Sequence, residues 1–108
     1  MRAIILSLFI ISLSFARPVL INVQKEGCGW CAKMNEEIFE NKEILQKIKT
    51  KYEVIVLNRD FDKIPSLLSV HFFPTTYILN DDMTKVEDEL LGYQKPSQLL
   101  EYLGLGSI

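Results

Sequence analysis

A strand-like run, Val19-Leu20-Ile21-Asn22-Val23, stops abruptly at Gly27-Cys28-Gly29-Trp30-Cys31, and that junction restricts the architectures open to the chain. The run is almost continuously apolar, as expected of a strand covered on both faces. From Ala32 a helical periodicity sets Met34, Ile38 and Phe39 on one face. A buried strand that feeds a helix is the opening of a parallel α/β unit, and such a unit needs further strands to cover its edges.

The rest of the chain supplies them. Asn41 can cap a second helical stretch carrying Ile44, Leu45 and Ile48. Tyr52 to Leu57 is rich in β-branched residues and predicts a second strand, closed by Asn58-Arg59-Asp60. A short helix is expected over Ile64 to Val70, then a third strand over Thr75 to Leu79, entered through Phe73-Pro74. The turn residues Asn80-Asp81-Asp82 return the chain as a fourth strand, Lys85 to Leu91, antiparallel to the third. Gly92 ends it, and Pro96 opens a closing helix with Leu99, Leu100 and Leu103. The expected order is βα(α)βαββα in one α/β domain, with no internal repeat or linker.

Composition narrows the functional classes. The chain has 108 residues, with 12 basic and 14 acidic side chains and a net charge of −2. That balance carries no basic footprint for nucleic acid. A hydrophobic fraction of 48% and a charged fraction of 24% are those of a folded globular chain rather than a disordered one. Two cysteines exclude both a multi-disulfide scaffold and a four-cysteine zinc site.

The N-terminus reads as an export signal. Met1-Arg2 is followed by an apolar run from Ala3 to Phe15, interrupted only by Ser7, Ser12 and Ser14. Ser14 and Ala16 then form a small-x-small pattern ahead of Arg17, the arrangement of a cleaved secretory signal. The run is too short for a membrane anchor, which needs about 20 apolar residues. Residues 1–16 are therefore expected to be the signal peptide and residues 17–108 the folded domain. The mature chain would lack a membrane span and work where disulfides persist.

The cysteine pair carries the chemistry. At a strand-to-helix junction, the free N–H groups and dipole of the helix start favour a thiolate at Cys28. A thiolate attacks disulfide sulfur, and Cys31, one turn on, can reach the same sulfur and resolve the mixed disulfide as Cys28–Cys31. A purely structural disulfide would close too short a loop to stabilise much. Two soft thiolates could also hold Cu(I), although no further donors accompany them. A c-type haem would require histidine after Cys31, where Ala32 stands.

Gly27-Cys28-Gly29-Trp30-Cys31-Ala32-Lys33-Met34, followed by Asn35-Glu36-Glu37-Ile38-Phe39, resembles the exported thioredoxin-like proteins. Their mark is a Cys-x-x-Cys that opens a long helix with a Lys-Met pair just beyond it. Phe73-Pro74-Thr75 is similar to that family's cis-proline loop, and Gly92 to a glycine before the last helix. The resemblance covers residues 18–103. It implies a thioredoxin-like fold, near-minimal, with a four-stranded mixed sheet and helices on both faces. It also implies a cis Pro74 beside Cys28 and Cys31. Trp30, Phe73, Pro74 and Thr75 are the expected substrate-binding residues, with the Phe73 backbone pairing to an extended substrate segment.

Two departures stand out. Thioredoxins carry a buried aspartate where this chain has Asn22, and a buried lysine that pairs with it is replaced by Val56. Asparagine cannot accept a proton from the resolving thiol. The dipeptide Gly29-Trp30 matches neither the Gly-Pro of thioredoxin nor the Pro-His of strong periplasmic oxidants. Glu26, His71 and the run Glu87-Asp88-Glu89 are expected as solvated surface.

The reading as a whole is a periplasmic, monomeric thiol:disulfide oxidoreductase, a reductant or isomerase. It would need no diffusible cofactor or metal, act on protein thiols and disulfides, and be recharged by a membrane-bound redox partner. The alternatives are a disulfide-donating oxidant and a non-catalytic Cu(I) carrier.

Overall fold

Six consecutive buried residues, Val19–Gln24, form β1 at the centre of the sheet. The computed structural model describes residues 16–106, so the expected signal, save Ala16, lies outside the described residues. The chain then forms α1 (Gly29–Met34, continued by a π-helical turn over Asn35–Phe39), α2 (Lys42–Lys49) and β2 (Glu53–Asn58). After a long irregular segment come β3 (Thr75–Leu79), β4 (Val86–Leu91) and α3 (Pro96–Tyr102). The strand order is β2-β1-β3-β4, with β1 parallel to β2 and antiparallel to β3, and β3 antiparallel to β4. This is the expected mixed four-stranded sheet.

Alternation along β1 sorts the core into two layers. Leu20 faces the helices and packs with Met34, Ile38, Ile44, Ile48, Leu99 and Leu100. Val19, Ile21 and Val23 face the other way, against Leu68, Tyr77 and Leu79. Each fully buried aliphatic side chain contributes about 1.5–3 kcal/mol. The helix ends follow local chemistry. Asn41 caps α2, its Oδ1 accepting from the N–H groups of Glu43 (3.1 Å) and Ile44 (3.3 Å). Pro96 sits in the first turn of α3, where its missing N–H costs nothing. On the edge strand β4, exposed Glu87, Asp88 and Glu89 discourage further strand pairing.

One expected element is absent. Residues 64–70 form a single turn, Leu68 N–H to Pro65 C=O at 3.0 Å, and not a helix. Beyond it, buried Leu68 and half-buried Val70 alternate with exposed Ser69 and His71, a period of two that suits extended chain. The three described helices consequently share one face of the sheet, and this irregular segment covers the other. Helical cover on both faces, as the sequence predicted, is corrected to that extent.

Candidate active site

Gly27 (φ +71°) turns the chain out of β1 in a conformation that a side chain would disfavour. Cys28 follows as the N-cap of α1, with extended backbone at φ −103° and ψ 106°. The helix thus starts at Gly29, three residues earlier than the periodicity at Ala32 suggests. Cys28 Sγ accepts a hydrogen bond from the Cys31 N–H at 3.1 Å, the arrangement that would stabilise a thiolate there. Cys28 is half-buried, while Cys31 is only 3% exposed. The two are joined as a disulfide with Cα atoms 5.2 Å apart. An attacking group can therefore reach Cys28, and Cys31 is sheltered behind it.

The Phe73–Pro74 peptide bond is cis, as expected, and brings the Phe73 carbonyl oxygen to 3.8 Å from Cys28 Sγ. Two hydrogen bonds brace this loop. Thr75 donates its hydroxyl to the Phe72 carbonyl (2.7 Å), and Gly92 donates its N–H to the Pro74 carbonyl (2.8 Å). Thr75 is fully buried, so its side chain supports the loop and does not face a partner, contrary to its expected substrate contact.

Trp30, Phe73, Pro74, Gly92 and Tyr93 line a groove of about 300 Å³ beside the disulfide. Trp30 is 59% exposed and lies against Tyr93, ring centres 5.2 Å apart. Tyr93 donates its hydroxyl to Glu37 Oε1 in a very short hydrogen bond. This bond to the carboxylate, aided by burial of the phenol and by the carboxylate charge, pushes the Tyr93 hydroxyl up to about 12. Behind it a larger hollow, about 630 Å³, runs along Glu36, Glu37, Asn41, Glu43 and Pro96. Tyr93 is a wall of both.

Beneath the site lies a chain of neutral amides. Asn22, fully buried, donates to Thr76 Oγ1 at 2.9 Å and accepts from Gln24 Nε2 at 2.7 Å. The side chains of Gln24 and Asn35 exchange two further bonds of 2.8 Å each. Asn35 begins the π-helical turn, where the Glu40 N–H reaches back to the Asn35 carbonyl at 2.7 Å. β1, β3 and α1 are thus tied together under the cysteines without a charge. Val56, beside Asn22 in the parallel register, is 41% exposed and offers nothing to this chain of bonds.

Sequence reasoning located Cys28, Cys31, Trp30, Phe73 and Pro74, and the fold brings all five together. It missed Tyr93, Glu37, Gln24, Asn35 and Thr76. Gln24 had a signal, a second polar residue two positions after Asn22 on the same face of an apolar strand. His71 stays outside, exposed, with its Nε2 3.0 Å from Ser69 Oγ. Among the described residues, no group of three or more His, Cys, Asp or Glu side chains is placed to hold a metal ion.

This geometry, a Cys-x-x-Cys at a helix start facing a cis-proline loop, coincides with a family match. The model of the thioredoxin-like domain family covers residues 13–106. The chain belongs to that family. Its relatives of known structure share its fold at low identity. The periplasmic thioredoxin SoxS from Paracoccus pantotrophus, in reduced form, is 24% identical, with 82% of this chain and 92% of that one aligned at a TM-score of 0.58. The germline-specific thioredoxin Deadhead from Drosophila melanogaster is 17% identical over 91% of this chain and 89% of its own, at 0.66. A thioredoxin-fold protein from Helicobacter pylori is 19% identical over 82% and 67%, at 0.61. No curated protein matches the chain. As a thioredoxin-like domain it carries the paired cysteines at disulfide distance, and no described helix is long and apolar enough to cross a membrane.

Proposed function

We propose that this thioredoxin-like chain is a thiol:disulfide oxidoreductase that acts on protein substrates through Cys28 and Cys31. The observation that carries the reading is the placement of Cys28. Its sulfur sits at the N-cap of α1, within 3.8 Å of the Phe73 carbonyl, at the edge of a groove open to an extended chain. In the reducing direction, the Cys28 thiolate attacks one sulfur of a substrate disulfide, forming a mixed disulfide and expelling the other sulfur as thiolate. Cys31, deprotonated, attacks Cys28 Sγ, closes the Cys28–Cys31 disulfide and releases the second substrate thiolate. Two electrons pass to the substrate, and the released thiolates take up the protons lost by the two cysteines. The Phe73 backbone, with Pro74 and Trp30, holds the substrate strand. No diffusible cofactor takes part.

The finer assignment is a periplasmic, monomeric reductant or isomerase, reloaded by a membrane-bound electron donor, with residues 1–16 removed on export. Supporting it are the small-x-small pattern before Arg17, the absence of a Pro-His dipeptide between the cysteines, and the likeness to a periplasmic thioredoxin.

The test is a trap. Cys31→Ser accumulates substrate adducts through Cys28 that release on reduction, and a variant that traps none sinks the proposal. Direction is read from equilibrium with glutathione, where a potential near about −270 mV marks a reductant and one near about −120 mV an oxidant. A mature N-terminus at Arg17 in an exported fraction is expected, and one at Met1 in the cytoplasm refutes export.

A further inference from the structure

Each aromatic wall of the groove has a cation over it. Lys25 Nζ lies 5.5 Å and Arg59 Cζ 4.9 Å from the centre of the Phe73 ring. On the opposite wall, Lys33 Nζ lies 5.7 Å from Trp30 and 5.5 Å from Tyr93. All three cations are exposed. Among the described residues Lys25 and Lys33 have no carboxylate within ion-pair distance, and Arg59 has only a 3.7 Å contact with Asp60. The neighbouring acids keep their charge, and four of them accept hydrogen bonds away from these cations. Asp60 accepts from the Glu26 N–H, Glu26 from Asn58, Asp62 from the Asn58 N–H and Glu37 from Tyr93. Glu36, Glu37 and Glu43 line the larger hollow, which Lys33 also borders. Three exposed cations thus stand over the aromatic rings that line the groove beside the reactive sulfur.

We propose that the groove selects extended polypeptides that carry an acidic side chain on each side of the disulfide-bonded cysteine. This rests on the thiol-exchange reading above and names its substrate class. A cation fixed over a ring keeps its outer face free, so a carboxylate can meet Lys33 on one wall and Lys25 with Arg59 on the other. Such rim charges steer and discriminate partners more than they tighten binding.

The experiment uses the reduced full-length protein and short peptides with one cysteine held as a mixed disulfide with 2-mercaptoethanol. The peptides differ only in having Glu, Gln or Lys on both sides of that cysteine. Release of thiol should be fastest for Glu and slowest for Lys, about tenfold apart at low ionic strength. The gap should narrow to about twofold at roughly 0.5 M salt, where exposed charges are screened. The double variant Lys25→Glu/Lys33→Glu should reverse the order. Equal rates for the three peptides, or an order unchanged in the double variant, overturn the proposal. If tripolyphosphate inhibits as well as a cysteine-free acidic peptide does, the rim is an indiscriminate anion site and the polypeptide assignment falls. Neutral bis(2-hydroxyethyl) disulfide separates the two readings. A protein that reduces it but treats the peptides alike keeps its activity and loses this selectivity, and one that reduces neither is no oxidoreductase.

Discussion

Tyr93 and Glu37, 56 residues apart in sequence, are joined by a phenol-to-carboxylate hydrogen bond that holds one wall of the reactive groove. Through its tilted contact with Tyr93, the exposed Trp30 ring is held beside the disulfide.

Tyr93→Phe removes the bond and leaves the ring. Trp30 is the only tryptophan, so its fluorescence anisotropy reports the change directly and should fall in the variant. Stability should drop by about 0.5–1 kcal/mol, at the low end because the pair is partly solvated. The phenol is raised from its ordinary value of 10.0 to about 12 in the folded protein. Its contribution is therefore complete below pH 10 and lost as pH rises from 10 to 12. Urea midpoints across that range should fall more steeply for the parent than for Tyr93→Phe, and parallel curves would contradict the assignment.

Asn22→Asp places a carboxyl in a fully buried position. Desolvation raises the pKa of a buried carboxyl, so the penalty is small below the ordinary range near 4 and grows as pH rises above it. At pH 7 the loss should be about 2–4 kcal/mol, since the Gln24 and Thr76 bonds are disturbed as well. Chemical denaturation at pH 4 and pH 7 measures the difference, and an equal cost at both would show that the site admits water.

Gly92→Ala meets no neighbouring atom within 4 Å but must hold φ at +81°. The cost should be about 1 kcal/mol, from the left-handed backbone alone. The same shift loosens the Gly92 N–H on the Pro74 carbonyl, so turnover of a peptide disulfide should slow more than that of bis(2-hydroxyethyl) disulfide. Equal slowing would separate this bond from substrate docking.

Asn41→Ala removes the cap of α2, a residue that does not line the groove beside the sulfurs. A loss of about 1 kcal/mol in denaturant is expected, with the redox potential unchanged. Asn41→Asp should retain most of the stability.

What could be read from the chain follows from the range of each interaction. β1, the Asn41 cap, Pro96 at the start of α3 and the Cys28–Cys31 junction are local patterns, and all were legible. The segment over residues 64–70 misled because Ile64 and Leu68 are spaced as on a helix, whereas Leu68 and Val70 are also spaced as in extended chain, and packing against β1 selects the second. Tyr93 and Glu37 were invisible because nothing local marks a bond across 56 residues. Thr75 was placed in the right loop with the wrong task, since its neighbours do not reveal whether a hydroxyl turns inward to Phe72 or outward to a partner.

The amide chain from Thr76 through Asn22 and Gln24 to Asn35 has a consequence for how the sulfurs respond to acidity. Among the described residues, the buried polar side chains are Asn22, Gln24, Thr75 and Thr76, none of which titrates. The floor of the site has dipoles but no titrating group, so its charge is the same at every pH at which the fold survives. Whatever acidity does to the dithiol must then come from the two sulfurs themselves or from groups outside this floor. The answer of this dithiol to acidity is therefore set at its exposed face, which a docked partner would cover.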